Sequence, residues 1–331
     1  MKAINRILIA VAAVTVITAV PAFAWDSFGH MEVACVAYQQ LTPQIQQRAT
    51  ALLKLNPNYT TWSGWVPSSA SAIDKDMMIF MMAATWPDEI KGLKNKPPPT
   101  NPVTGDPYVT DGSIGGDRPE GSPNPTANTG YSDDSMHKYW HFVDTPFSTD
   151  GTPLTTIPTP NAEERITLFR GVLASTTATD DLKSYDLSWL LHLVGDVHQP
   201  LHCTTRVSAS NTNGDSGGND VDVLKPKEVL HAFWDDVLGT GTDSNIVSKV
   251  ITAANALPSA DATLASETDA KDWVKESFQL AQSDVYVSPI GSGAGPFTLT
   301  TTYKKNAKTL AQKQIALAGA RLANLLNNEL K

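Results

Sequence analysis

Seven histidines punctuate this chain, at positions 30, 137, 141, 192, 198, 202 and 231. Two of them have an aspartate four residues later: His192 with Asp196, and His231 with Asp235. On an α-helix, positions i and i+4 share a face about one turn apart, so both side chains can reach one cation or two adjacent ones. A single pair of this kind also serves as a structural hydrogen bond. The setting of the first pair argues for more. The stretch LLHLVGDVHQPLH surrounds an imidazole and a carboxylate with apolar neighbours, where each needs a compensating partner. His202 follows just past Pro200, TWPDEI contributes Asp88, and YWHFVD contributes His141 and Asp144. These are enough N and O donors for more than one metal. Ligands of this type suit zinc, whose catalytic sites keep a position open for water. Neighbouring metals are used for in-line displacement at a phosphate ester. The chain has no Cys-x-x-Cys pair and no H-E-x-x-H, which argues against a cysteine-rich zinc site and against a zinc protease.

A further donor would come from the backbone. Residues 1–24 read as a secretory signal peptide, with Lys2 and Arg6, an apolar run from Ile7 to Val20, and Ala22-Phe23-Ala24 as the exit. Cleavage between Ala24 and Trp25 would make Trp25 the first residue, with His30 close behind. A free α-amino group has an ordinary pKa of about 7.7–8.0, so a metal readily displaces its last proton. The amine and carbonyl oxygen of one residue can then close a five-membered chelate ring. The Trp25 side chain itself reads as packing. The mature product is expected outside the cytoplasm, secreted or periplasmic.

Helices must position these groups. Val33, Ala37, Leu41 and Ile45 recur at helical spacing from Met31 to Leu53, and a second helix is expected from about Ala70 to Thr85, stopped near Pro87. Further helices are expected at 161–175, at 186–197 as a buried helix, at 229–238, at about 270–281, and from Lys304 onward. Between Gly92 and Gly130, 15 residues are Gly or Pro, so 92–135 reads as a loop insertion. Val221-Asp222-Val223 alternates and suggests a strand or hairpin edge. The fold class is therefore all-α: one mostly helical domain over 25–331, with long loops and at most a short β-hairpin.

Bulk properties narrow the function. The formal net charge of −9 becomes −11 once Lys2 and Arg6 are removed, which lacks the footprint of a protein gripping long duplexes through many phosphates. Bound cations could supply positive charge locally. After residue 24 no apolar run is long enough to span a bilayer. Cys35 and Cys203 are the two cysteines; a disulfide and two buried thiols are both open.

The ordered set of motifs resembles the single-strand-specific zinc nucleases, the S-one/P-one family, which shares its mostly helical fold with zinc-dependent phospholipases C. The set comprises Trp25 with His30, W-x-D at Trp86–Asp88, H-F-x-D at His141–Asp144, the His192–His202 run, G-G-N at Gly217–Asn219, and L-H-x-x-W-D at Leu230–Asp235. The resemblance implies three zinc ions. Asp88, His141, His192 and Asp196 would hold the first; His202, His231 and Asp235 the second; His30 and the amine and carbonyl of Trp25 the third, with Asp196 shared between the first and third. It also implies hydrolysis of single-stranded DNA and RNA at the 3′ oxygen, giving 5′-nucleotides, and action on 3′-nucleotides. Asp144 would orient or deprotonate the nucleophile, Phe142 would stack on a base, and Asn219 would contact substrate. No membrane and no obligate protein partner is implied. His198 would orient its neighbours.

Three departures stand out: the long insertion, Pro87 where the family usually has a small residue, and no lysine shortly after H-F-x-D near Thr149. Two other readings use the same ligands. One is a phospholipase C, which Phe142, the G-G-N motif and the lack of an interfacial apolar helix disfavour. The other is a non-catalytic zinc-binding protein, which would not need Asp144.

Overall fold

A computed structural model describes residues 25–92, 97–110, 128–223, 228–240 and 246–330. The expected signal peptide and much of the 92–135 insertion lie outside the described residues. The helices are α1 (Ser27–Gln40), α2 (Pro43–Leu53), α3 (Tyr59–Trp65), α4 (Ala72–Ala83), α5 (Trp86–Glu89), α6 (Ala162–Ala174), α7 (Asp180–Asp196), α8 (Leu230–Asp235), α9 (Ile246–Ala254), α10 (Ala262–Ala265), α11 (Ala270–Leu280) and α12 (Thr301–Glu329).

Three of these form the centre. In α7 every residue from Lys183 to Asp196 is buried, and α12 is buried without a break from Gln314 to Ala323. A helix that is apolar or sequestered all round belongs inside a protein rather than on its surface. Helix α1 packs on α12, α9, α4 and α7, while α6 and α2 cover α7. Trp62, Trp140, Trp189 and Trp273 fill the main core. A second apolar cluster gathers Leu201, Val221, Leu230, Trp234 and Tyr303 around α8. Among the described residues, no helix is long and apolar enough to cross a membrane.

The expected single helix from Met31 to Leu53 is two helices. Its periodicity is real, but Thr42 accepts a hydrogen bond from the Ile45 amide and Pro43 occupies the first turn, the arrangement that starts a helix rather than continues one. Helix α7 begins at Asp180, six residues before the apolar run, because Thr179 caps it and Asp180 and Asp181 suit its positive end. Pro87 does not simply stop a helix. It lies in the first turn of α5, where its missing N–H costs nothing. Helix α3 was not expected from periodicity; at 7 residues it is too short to show a repeat.

The β-structure exceeds one hairpin edge. Strand β3 (Asp222–Val223) pairs antiparallel with β4 (Glu228–Val229). In addition β1 (Pro146–Ser148) runs parallel to β2 (Thr205–Val207), with Phe147 opposite Arg206. That second pairing matters for the site, because β1 follows Asp144 and β2 follows His202. It is continued by the Val143 amide donating to the His202 carbonyl at 2.7 Å and the Thr205 amide donating to Thr145 at 2.9 Å.

Candidate metal centre

Residues from six segments converge at the inner ends of α1 and α7. Helix α1 delivers His30, α5 delivers Asp88, and a 3-10 turn at Lys138–His141 delivers His141. Helix α7 delivers His192 and, one turn later, Asp196. A second 3-10 turn, Pro200–Cys203, presents His202, and α8 presents His231 and Asp235. All eight side chains are buried. Their ligand atoms fall into three groups, each within 4.8 Å: His30 with His192 and Asp196; Asp88 with His141 and His192; His202 with His231 and Asp235.

Hydrogen bonding fixes which imidazole nitrogens are bare. Nδ1 of His192 lies 2.8 Å from the Ala84 carbonyl, Nδ1 of His202 lies 2.8 Å from the His141 carbonyl, and Nδ1 of His231 lies 2.7 Å from the Gly217 carbonyl. A carbonyl oxygen only accepts, so each Nδ1 carries the proton and each neutral ring turns a lone pair outward at Nε2. The His202 and His231 lone pairs meet each other, whereas His192 Nε2 lies 2.9 Å from His141 Nδ1 among the carboxylates. His202 Nε2 faces His231 Nε2 at 3.1 Å, and His192 Nε2 lies 3.2 Å from Asp196 Oδ2 and 3.5 Å from Asp88 Oδ1. Neither ring nitrogen of His30 has a hydrogen-bond partner, although Nε2 is 3.4 Å from Asp196 Oδ1. Its ring stacks on that of His192 with centroids 3.7 Å apart. Buried polar atoms without a protein partner are rare, and these are placed to bind an ion or water.

Burial keeps most of these rings unprotonated. It holds His30, His141 and His202 well below the usual imidazole range, helped by neighbouring imidazoles and by Lys91. It lowers His231 to about 4. His192 moves the other way: burial would lower it, but Asp196 and Asp88 outweigh burial and raise it. Burial raises Asp196 to about 6 and pushes Asp235 well above the carboxylate range. The donor set is thus nitrogen and oxygen and buried; four imidazoles are neutral, while His192, Asp196 and Asp235 hold their protons more tightly and would give them up to a bound cation. It fits zinc. The backbone-anchored imidazoles match the way metal-binding histidines are usually oriented.

Trp25 adjoins this cluster. Its indole Nε1 donates to the Gly195 carbonyl at 3.0 Å, between His192 and Asp196 on α7, and its side chain is fully buried. The next amide, of Asp26, donates to the Asp235 carbonyl at 3.2 Å. The side chain therefore does more than pack; it ties residue 25 to α7. Phe142 is half-buried against the main core, and Asp144 is half-buried two residues beyond it. Asn219 donates from its side chain to the Ser216 carbonyl at 2.8 Å. The glycines before it hold His231: Gly217 has φ +61°, and a Cβ there would overlap the Leu201 carbonyl. Only glycine tolerates both demands.

Sequence reasoning missed two participants. Lys91 places Nζ 2.5 Å from Asp88 Oδ1 with its side chain 5% exposed, a buried positive charge against one of the candidate ligands. The i,i+3 spacing from Asp88 was the available signal. Gln199, wholly buried, donates to Asp235 Oδ1 at 2.7 Å. His198 stands aside: its Nδ1 donates to the Val194 carbonyl at 2.7 Å and its Nε2 accepts from Arg321 at 2.9 Å. His137 stacks on Trp140 with ring centroids 3.5 Å apart. The cysteines are two buried free thiols.

Fold and site define the class: a mostly helical protein built around a buried, multi-group candidate metal centre. Comparison with known proteins agrees with that class. The model of the S1/P1 nuclease family matches residues 25–331, and the chain belongs to that family. It is 27% identical to Endonuclease 4 of Arabidopsis thaliana over 174 residues, covering 47% of this chain and 55% of that protein. It is 32% identical to Endonuclease 1 of the same plant over 161 residues, covering 43% of this chain and 48% of that protein. The chain spans about half the length of these curated relatives.

Proposed function

We propose that this protein is a zinc-dependent phosphodiesterase that hydrolyses single-stranded DNA and RNA at the 3′ oxygen, yields 5′-nucleotides, and also acts on 3′-nucleotides. The observation that carries the reading is the set of imidazole lone pairs facing one another and two buried carboxylates, with His202 and His231 Nε2 atoms 3.1 Å apart. With both Nδ1 atoms donating to carbonyls, neutral His202 and His231 cannot hydrogen-bond each other through Nε2; a cation can bind both. Family membership directs the chemistry toward phosphate esters.

Three ions are proposed: the first would be held by Asp88, His141, His192 and Asp196, the second by His202, His231 and Asp235, and the third by His30 with residue 25. Asp196 is shared between the first and third, and the Trp25 amine and carbonyl complete the third. Zinc bound there supplies Lewis-acid activation and charge stabilisation during displacement at phosphorus. The protein's own groups do the rest. Lys91 offsets negative charge beside Asp88. Asp144 orients the attacking water and takes its proton. Phe142 offers a face on which an unpaired base stacks, worth roughly 1–3 kcal/mol for any base; Asn219 contacts the substrate. Only an unpaired base exposes its face, so single strands are preferred without base reading. A free Trp25 amine requires cleavage after Ala24, so maturation and export to the periplasm or the medium are one event.

The test is metal analysis of the mature chain together with cleavage of single-stranded DNA before chelation, after it, and after zinc is restored. About three zinc per chain and chelator-reversible cleavage are expected. Fewer than about two zinc, or activity indifferent to the chelator, defeats the proposal. Cleavage of lecithin in preference to DNA would transfer the site to phospholipase chemistry.

A further inference from the structure

The side chain of Gln199 joins two ligands of one proposed metal site that arrive from separate elements. It is wholly buried. Its Oε1 accepts from the Leu201 amide at 2.6 Å, and its own carbonyl accepts from the His202 amide at 3.0 Å. Gln199 thereby caps the 3-10 turn Pro200–Cys203 that presents His202. Its Nε2 donates to Asp235 Oδ1 at 2.7 Å. The direction of the amide is not free to reverse. Leu201 N–H needs an acceptor, so Oε1 must face it, and the NH2 group must face Asp235. One Asp235 oxygen is thus occupied by a donor, while Oδ2 remains 3.5 Å from His231 Nε2.

We infer that Gln199 is a positioning residue for the second metal site: it sets the separation of His202 and Asp235 and fixes the rotation of the Asp235 carboxylate, whose Oδ1 lies 3.9 Å from His202 Nε2 and Oδ2 3.5 Å from His231 Nε2. The inference rests on the metal reading above. Outer partners of metal ligands typically contribute about 10–100-fold in metal affinity. The structure distinguishes this role from simple turn capping, because the two functions use different ends of one amide. Gln199→Glu keeps an oxygen for Leu201 N–H and sets an acceptor against Asp235. Gln199→Leu loses both bonds.

The experiment titrates a chelator against wild-type, Gln199→Glu and Gln199→Leu proteins, measuring metal retained per chain, and records the melting temperature of each metal-stripped protein. In both variants one ion is expected to leave at about 10–100-fold lower chelator concentration, while the others hold as in wild type. Melting of the stripped protein should fall in both variants, in Gln199→Glu because two carboxylates then face each other in the core and in Gln199→Leu because the Leu201 amide loses its acceptor. Wild-type retention of every ion by Gln199→Glu overturns the inference even if Gln199→Leu is unstable. A wild-type protein that retains no metal overturns the underlying metal reading instead, and the inference with it.

Discussion

Gly195→Ala separates fold stability from metal binding at a single atom. Gly195 lies in the last turn of α7, so an added Cβ favours the helix by roughly 0.5–1 kcal/mol. That same Cβ would stand 3.0 Å from His30 Nδ1, 3.4 Å from His30 Cε1 and 3.7 Å from Val33 Cγ2. The last is an ordinary contact, but the first two are tight, and His30 must retreat by a few tenths of an ångström. Zinc–nitrogen bonds are about 2.0–2.1 Å long, so a retreat of that size is a large fraction of the tolerance of the bond. A full 1 Å misplacement costs about a hundredfold in comparable sites, which sets the scale here at about tenfold. The Gly195 carbonyl survives, so the Trp25 indole bond is not the cause. The expected result is a protein that releases one ion at about tenfold lower chelator concentration, with cleavage activity falling in parallel, while its metal-free form stays folded, the helix gain offsetting part of an overpacking cost of about 1–3 kcal/mol. A variant holding all its metal with wild-type affinity would refute the claim that His30 coordinates from its observed position.

Trp25→Phe removes the indole donor and leaves the Gly195 carbonyl unpaired in the core, so stability should drop by about 1–3 kcal/mol in urea unfolding; an unchanged midpoint would return Trp25 to a packing role. Asp144→Asn should lower single-stranded DNA turnover by about 10²-fold or more with metal content intact, and full activity would remove Asp144 from the mechanism. His198→Gln tests a pH linkage. Burial, reinforced by Arg321, lowers His198 to about 3 in the fold against 6.5 for a free imidazole. The unfolded chain therefore takes up a proton that the folded one refuses, and wild-type stability is lost as pH falls from about 6.5 toward 3. The variant should be less stable than wild type by about 1–3 kcal/mol at pH 7, with the gap narrowing toward pH 4. A pH-independent gap in urea titrations would contradict this.

The site was more legible in the sequence than the elements that build it. His192 with Asp196 and His231 with Asp235 announce themselves through one helical turn of spacing, and both pairs do lie on helices. Order along the chain supplied the rest of the cluster through resemblance to a family. What the sequence hid was long-range and backbone-borne. The parallel pairing of β1 with β2 leaves no local pattern, since each strand has 3 residues and the partners are far apart in the chain. The carbonyls that orient His192, His202 and His231 belong to Ala84, His141 and Gly217, residues whose side chains say nothing of that task. The break at Thr42-Pro43 was written in the residues, but the apolar repeat running through it concealed the restart.

The packing of α1 on α12 has a consequence for the order of assembly. The helix that carries His30 finds its main neighbour in Thr301–Glu329, so its burial waits on nearly the whole chain. Contacts of such long sequence separation form late, after the entropy of closing a very large loop has been met. Without α12 one side of α1 has no cover, although α4, α7 and α9 still flank it. The packing around the helix that carries His30 is therefore complete only once the last helix has docked.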